Sequence, residues 1–216
     1  INSVLFLILL ILFIGITLYV FNQTKNMFSP NEVVFEAPAS SKSHEKPKEM
    51  LRLSNIYKVN GNDVQYMKLN AKASKRGYNE STRNIVFFEG EKMDSHWMFE
   101  HNINKIEMME QLHKHVDNPK EDETLSIYYQ LRKDSNNDGT IDNKDELIVA
   151  LTSPNGDDYT EIAKGMASVL DHRFDPDNLV LTLLTQNENT LLMKKYSTVS
   201  KKLISEREIT KISGAF

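Results

Sequence analysis

Residues 125–151, LSIYYQLRKDSNNDGTIDNKDELIVAL, contain two apolar segments separated by a loop rich in aspartate and asparagine. In the first segment, apolar side chains recur at every second position from Leu125 to Leu131, which is the period of a half-buried β-strand. The second segment, Leu147–Leu151, is continuously apolar and has the length of a strand. This stretch therefore predicts two β-strands joined by an acidic loop.

Short apolar runs of the same kind continue on both sides of this stretch. Turn sequences rich in Gly, Asn, Asp and Pro separate them, at residues 60–61, 89–92, 153–157 and 186–189. Asn60-Gly61 is a strong two-residue hairpin signal. Val199–Ile204 is predicted as a last strand. Roughly ten to twelve strands with regular turns predict a mainly β, antiparallel domain over residues 51–216.

The arrangement of these strands stays open at this point. Three predicted hairpins, at residues 84–99, 147–162 and 179–196, begin 63 and 32 residues apart, a mean of about 48, and a period of about 40–50 residues is typical of propeller blades. The domain would then hold three or four blade-like units. A β-sandwich or an open sheet is the alternative.

The sequence of residues 105–117 is compatible with either a helix or a strand. Its apolar residues Ile106, Met109, Leu112 and Val116 recur at helical spacing. The neighbouring segments are all predicted strands, which favours a strand here as well. Both alternatives are kept.

The N-terminal part of the chain differs in character from the β domain. Val4–Phe21 is uncharged and apolar, and 18 residues of helix span roughly 27 Å, close to the thickness of the bilayer core. Residues 1–21 are therefore predicted as a transmembrane signal anchor. Residues 22–50 hold three of the six prolines and a polar run, which predicts a flexible linker.

Composition and charge exclude several function classes. The net charge is −4 and no basic block is present, which argues against binding to nucleic acid. The absence of cysteine excludes disulfides, thiolate metal sites and cysteine nucleophiles. The sequence also lacks the common short motifs of hydrolases, metalloproteases and nucleotide-binding proteins.

The acidic loop at residues 134–145 has the spacing of a calcium site. Calcium takes six to eight oxygen ligands, and a twelve-residue loop supplies them from positions 1, 3, 5, 7, 9 and 12. Here these positions are occupied by Asp134, Asn136, Asp138, the backbone carbonyl of Thr140, Asp142 and Asp145. Gly139 stands at position 6, where the backbone must turn with a positive φ. Ile141, at position 8, is expected to point into the apolar interior.

This loop resembles EF-hand loops, and more closely the dockerin-like variety that has Asp at position 12. It departs from the EF-hand pattern because position 12 is Asp145 rather than Glu, and because Glu146 rather than an apolar residue follows. The flanking segments are also predicted strands, not helices. The resemblance implies one structural calcium ion rather than a sensor, since no paired loop or movable helices accompany it.

A wider resemblance covers the succession of strand, DSNNDGTID loop, strand, SPNGDDYTEI and strand. This succession is similar to the hairpins of the periplasmic TolB-type propeller and to uncharacterised membrane-anchored bacterial proteins. The resemblance implies an envelope location and a binding role, and no catalytic residues carry over.

These observations together predict a non-enzymatic, single-pass protein of the inner membrane. Its β domain would lie in the periplasm or outside the cell, bind calcium structurally, and contact a partner protein or a second copy of the chain. The alternative is an extracytoplasmic carbohydrate-active enzyme that uses carboxylates from separate loops.

Overall fold

The computed structural model of the protein describes residues 50–72, 80–91, 94–114, 122–187 and 189–211. The predicted transmembrane anchor, residues 1–21, lies outside these ranges, as does the predicted linker apart from Met50. Among the residues described, no helix is long and apolar enough to cross a membrane. The described residues form antiparallel β-sheets, which confirms the prediction of a mainly β domain.

Thirteen strands run through the described residues. They are β1 (Met50–Leu53), β2 (Tyr57–Lys58), β3 (Val64–Lys72), β4 (Glu80–Glu89), β5 (Asp94–Trp97), β6 (Lys105–Lys114), β7 (Glu123–Arg132), β8 (Leu147–Thr152), β9 (Thr160–Met166), β10 (Ser168–Asp175), β11 (Val180–Asn187), β12 (Thr190–Ser197) and β13 (Leu203–Lys211). Nine strands form a large sheet in the order β1-β3-β4-β6-β7-β8-β9, with β2 beside β3 and β5 beside β4. The other four form a small sheet in the order β10-β11-β12-β13.

The ambiguous segment at residues 105–117 is a strand as far as it is described. Lys105–Lys114 forms β6, and Ile106 lies opposite Leu131 in the ladder with β7. A register shift between Ile106 and Met108 explains why Met108-Met109 interrupts the alternation expected of a strand. Tertiary pairing with β7 therefore overrides the local helical spacing.

The last predicted strand is displaced in the structure. Val199 lies in a turn that the bond from Ser197 N–H to the Lys202 carbonyl closes at 3.0 Å, and Lys201 has a φ of 54° there. The final strand begins only at Leu203. The prediction also omitted β10, because its sequence SVLDHRFD lacks a regular alternation: Val169 and Leu170 are adjacent and three polar residues follow.

The first core cluster lies inside a curl of the large sheet. It consists of Val59, Val64, Tyr66, Ile85, Phe87, Ile106, Ile127, Tyr129, Leu131, Ile148 and Ala150. These residues come from β3 and β4 as well as from β7 and β8, although β6 separates the two pairs in the sheet order. The sheet must therefore bend around the cluster. The N–H of Thr124 on β7 also donates to the carbonyl of Asn60, in the turn before β3, at 2.9 Å.

A turn at residues 153–158 packs over β4 and β5. Gly156 adopts a φ of +88°, and a Cβ atom on it would lie 2.4 Å from the ring of Phe87. Tyr57, Tyr66, Phe87 and His96 form a row of neighbouring rings across β2 to β5, with centroid separations of 5.3, 5.9 and 5.8 Å. His96 Nε2 at the end of this row lies 3.3 Å from Asp157 Oδ1 in the turn.

The second core cluster lies between the two sheets. Leu112, Tyr128, Val149, Leu151 and Met166 of the large sheet pack there against Leu181, Leu183 and Tyr196 of the small sheet. The predicted alternation in β7 is correct, but the strand is buried on both faces rather than on one. Ile127, Tyr129 and Leu131 enter the first cluster, and Tyr128 enters the second, because the small sheet covers that face.

Polar contacts also join the two sheets. His172 Nε2 of β10 lies 2.7 Å from Glu110 Oε2 of β6, and its ring stacks on that of Tyr128 with centroids 4.4 Å apart. The ammonium group of Lys201 donates a hydrogen bond to the backbone carbonyl of Asp158. The small sheet is thus attached by one apolar contact area and by polar contacts around it.

Candidate functional site

The predicted calcium loop connects β7 to β8, and Arg132 fixes both of its ends. Arg132 closes β7, and its guanidinium group donates from Nη1 to the carbonyl of Asp145 just before β8. Its Nε donates to Glu107 Oε1 of β6 at 3.1 Å. Because Arg132 is buried, these bonds attach the ends of the loop firmly to the large sheet.

Within the loop, the acidic and amide side chains accept hydrogen bonds from the backbone two to five residues further on. Asp134 Oδ2 accepts from Gly139 N–H at 2.8 Å, and Gly139 has a φ of 81°, as predicted for position 6. Asn136 and Asp138 each accept from the N–H two residues ahead, at 2.9 and 2.8 Å. Asp142 accepts in the same way from Lys144 at 2.8 Å. Each of these side chains fixes one turn of the loop, which is a common use of Asp and Asn.

Asp145 closes the loop from its C-terminal end. Its Oδ1 accepts from Ser135 N–H at 2.8 Å and from Ser135 Oγ at 3.1 Å, and its Oδ2 accepts from Asp142 N–H at 2.8 Å. The hydrogen bond that the backbone N–H of Asp142 donates to Asp145, together with the bonds from Ser135, stabilises the ionised form and holds the pKa of Asp145 below its ordinary value. Asp145 is therefore an ionised carboxylate at neutral pH and stabilises the loop through its own hydrogen bonds.

Asp134 has one oxygen that these bonds leave unused. Its Oδ1 is shielded from solvent and accepts no hydrogen bond from the described residues. A buried carboxylate oxygen without a donor is costly, and a cation is one partner that removes this cost. Calcium binds oxygen ligands, and both this Asp134 oxygen and the other predicted ligand atoms of the loop are oxygens. The ligand types of the loop therefore fit calcium.

The structure places all six predicted ligands on this single loop. It does not bring three acidic or histidine side chains together as a preformed metal-binding group anywhere among the described residues. Several carboxylate oxygens are instead engaged with backbone N–H groups. Ile141 is half-buried and lies outside the described core clusters, so the expectation that it enters the interior is met only in part.

Two residues that matter to the loop were not identified from the sequence. Ser135 binds Asp145 and also accepts from Glu146 N–H at 2.9 Å, and Arg132 joins the loop to β6. A charged residue at the end of an otherwise apolar strand was the available signal for Arg132. Ser135 gave no signal, because position 2 of such a loop carries no ligand.

A second feature is a cavity of about 350 Å³ between β9 and the small sheet. Its lining residues come from β9, β12 and the region of β13: Glu161, Ile162, Ala163, Lys164, Lys194, Tyr196, Leu203 and Glu206. Glu161 pairs with Lys133, and Glu206 Oε2 lies 3.2 Å from Lys194 Nζ. The cavity thus combines an apolar wall with ion-paired side chains.

Comparisons with known proteins yielded no relationship for this chain. No family model, no curated protein and no solved structure matches it.

Proposed function

We propose that this chain is a non-enzymatic, single-pass protein of the bacterial inner membrane whose β domain binds one structural calcium ion. The apolar sequence of Val4–Phe21 supports the anchor, and the calcium-type loop supports a location of the domain in the periplasm or outside the cell, where calcium is abundant. The domain would present a surface to a partner protein or to a second copy of the chain.

The observation that carries the calcium proposal is the buried, unpartnered Oδ1 of Asp134. Calcium would be held by the side chains of Asp134, Asn136, Asp138, Asp142 and Asp145 and by the carbonyl of Thr140. The ion would supply positive charge among four carboxylates that otherwise repel one another on one short loop. Because the loop already forms its own turns, the ion would stabilise an existing conformation.

Of the two architectures that the sequence left open, we propose the layered one. Nine strands share one continuous sheet, and four form a second sheet that packs on its outer face. Each blade of a propeller would instead be a separate sheet of four strands. The two-layer arrangement is therefore better described as sandwich-like.

The alternative function, a carbohydrate-active enzyme, needs one protonated carboxyl group and one carboxylate. The cavity contains two glutamates, Glu161 and Glu206, but each is paired with a lysine. Both carboxyl groups are thus engaged in ion pairs within the protein, and this is why the binding function is preferred.

Thermal unfolding of the full chain in a mild detergent tests the calcium site. Binding to the folded state alone adds about 2.7 kcal/mol at one hundred times Kd, and each kcal/mol raises Tm by roughly 2–4 °C in a domain of this size. Calcium at about 5 mM should therefore raise Tm by several degrees over chelator, and magnesium should do less.

Asp134→Asn provides the decisive variant, since it keeps an oxygen for the Gly139 bond and removes the charge at Oδ1. We expect it to abolish most of the calcium-dependent shift. Asp175→Asn is the matched control, because Asp175 also accepts backbone hydrogen bonds in a turn, from Asp177 and Asn178, but lies outside the loop. Identical melting curves of the wild type in chelator and in calcium would refute the proposal.

A further inference from the structure

We propose that the cavity between β9 and the small sheet binds a carboxylate attached to a compact apolar group. This inference stands independently of the calcium site, since it concerns different strands and different side chains. It rests on two polar groups that line the cavity and that the fold itself leaves without partners.

The first of these groups is the hydroxyl of Tyr196. This residue is only 3 % exposed, belongs to the second core cluster and lines the cavity. Its hydroxyl forms no hydrogen bond with the described residues, whereas the hydroxyl of the fully buried Tyr129 lies 3.2 Å from Thr152 Oγ1. The hydroxyl oxygen of Tyr196 is not among the solvent-shielded atoms that lack a partner, so the hydroxyl is open to the cavity, where a ligand acceptor would take the place of water.

Tyr196 is also in the right state to donate. Burial raises its pKa, and the neighbouring Glu206 carboxylate raises it further. The hydroxyl therefore keeps its proton at neutral pH. An acceptor oxygen on the ligand would receive a hydrogen bond there.

The second group is the ammonium of Lys164. The other charged side chains of the cavity are neutralised, Glu161 by Lys133 and Lys194 by Glu206. Lys164 forms no ion pair and no hydrogen bond with the described residues. Lys164 is exposed to solvent, so it offers the cavity one hydrated positive charge without a partner in the protein, which complements one carboxylate.

The remaining walls define the rest of the ligand. Ile162, Ala163 and Leu203 are apolar, and the ring of Tyr196 lies beside them. A cavity of about 350 Å³ is at the small end of the range for ligand sites, so the apolar group must be compact. The cavity would therefore bind either a free organic acid or the C-terminal carboxylate of a peptide with an apolar last residue.

Titration of the full chain in lipid nanodiscs with phenylacetate, observed by ligand-detected NMR, tests this site. The neutral isostere phenylacetamide should bind at least about tenfold more weakly, because it cannot form the ion pair to Lys164. A short peptide ending in a free phenylalanine carboxylate distinguishes the two sources. Tighter binding of the peptide assigns the site to a protein C terminus, and tighter binding of phenylacetate assigns it to a free acid.

Two variants connect binding to the named groups. Lys164→Gln and Tyr196→Phe should each weaken phenylacetate binding about tenfold. Tyr196→Phe should leave Tm unchanged, because the lost hydroxyl has no partner in the fold. Lys202→Gln is the control, since this exposed lysine does not line the cavity. Equal affinity for acid and amide, equal effects of Lys164→Gln and Lys202→Gln, or a lower Tm of Tyr196→Phe would each overturn the proposal.

Discussion

Gly156→Ala tests the packing of the turn at residues 153–158 against the first core cluster. The substitution has two separate costs. A φ of +88° is unfavourable for any residue with a Cβ atom, by about 1–2 kcal/mol. The new Cβ atom would also lie 2.4 Å from Cδ2 and Cε2 of Phe87, and this ring is fully buried. Overpacking of a core costs about 1–3 kcal/mol, so the total loss is about 2–5 kcal/mol.

Gly90→Ala is the matched control for this experiment. Gly90 also has a positive φ, +68°, but a Cβ atom there would meet no atom within 4 Å. It should therefore show only the conformational cost, about 1–2 kcal/mol. The difference between the two variants, measured by urea unfolding, isolates the steric contact with Phe87. We expect that difference to be about 1–3 kcal/mol.

A double-mutant cycle makes the test more specific. In a Phe87→Leu background the smaller side chain leaves room for the new methyl group, so Gly156→Ala should cost less there than in the wild type. Equal losses for Gly156→Ala and Gly90→Ala, or the same loss in both backgrounds, would show that the turn does not press on Phe87 as described.

Three further variants test other contacts of the fold. Tyr129→Phe removes the hydrogen bond between the Tyr129 hydroxyl and Thr152 Oγ1. The free energy of unfolding, measured in urea, should therefore fall by about 1 kcal/mol, and an unchanged value would mean that this hydrogen bond contributes nothing to stability. His172→Ala removes the stacking on Tyr128 and the hydrogen bond to Glu110 of the large sheet, and should lower Tm through a loss of about 1–2 kcal/mol; an unaltered Tm would argue against this contact. Because the pKa of Asp145 is lowered, its carboxylate stabilises the fold above its ordinary pKa and ceases to do so as the pH falls through the lowered value. Asp145→Asn should therefore lower Tm at about pH 7, and this loss should shrink as the pH falls below the ordinary carboxyl pKa of 3.8 and through the lowered value; a loss that grows as the pH falls would contradict this assignment.

Local sequence patterns were sufficient to predict most of the hairpins. Asn60-Gly61 and the turn after Glu89 each connect strands at the expected places, because Gly61 and Gly90 adopt a positive φ at little cost. The loop at residues 134–145 also lies between two strands, as predicted. These features depend on neighbouring residues only, and neighbouring residues are visible in a sequence.

Long-range packing could not be predicted in the same way. The burial of Tyr128 depends on a sheet that begins forty residues later, at Ser168, and no local period reports such a contact. The same holds for the unpartnered hydroxyl of Tyr196, whose environment is made by β9. In the loop at residues 134–145 the residue types predicted the position of the turn, but the bonds from Ser135 and Arg132 depend on side-chain geometry.

The small sheet is formed by one uninterrupted segment of chain, from Ser168 to Lys211, in which each strand pairs with the next one. Such a segment can detach and reattach as one cooperative unit while its own ladder stays intact. Side chains on the face of β7 and β8 that the segment covers, such as Tyr128, would then exchange between a buried and a solvent-exposed environment through this opening, at a lower free energy than global unfolding. Since the cavity lies between β9 and this segment, a ligand bound there would slow that exchange.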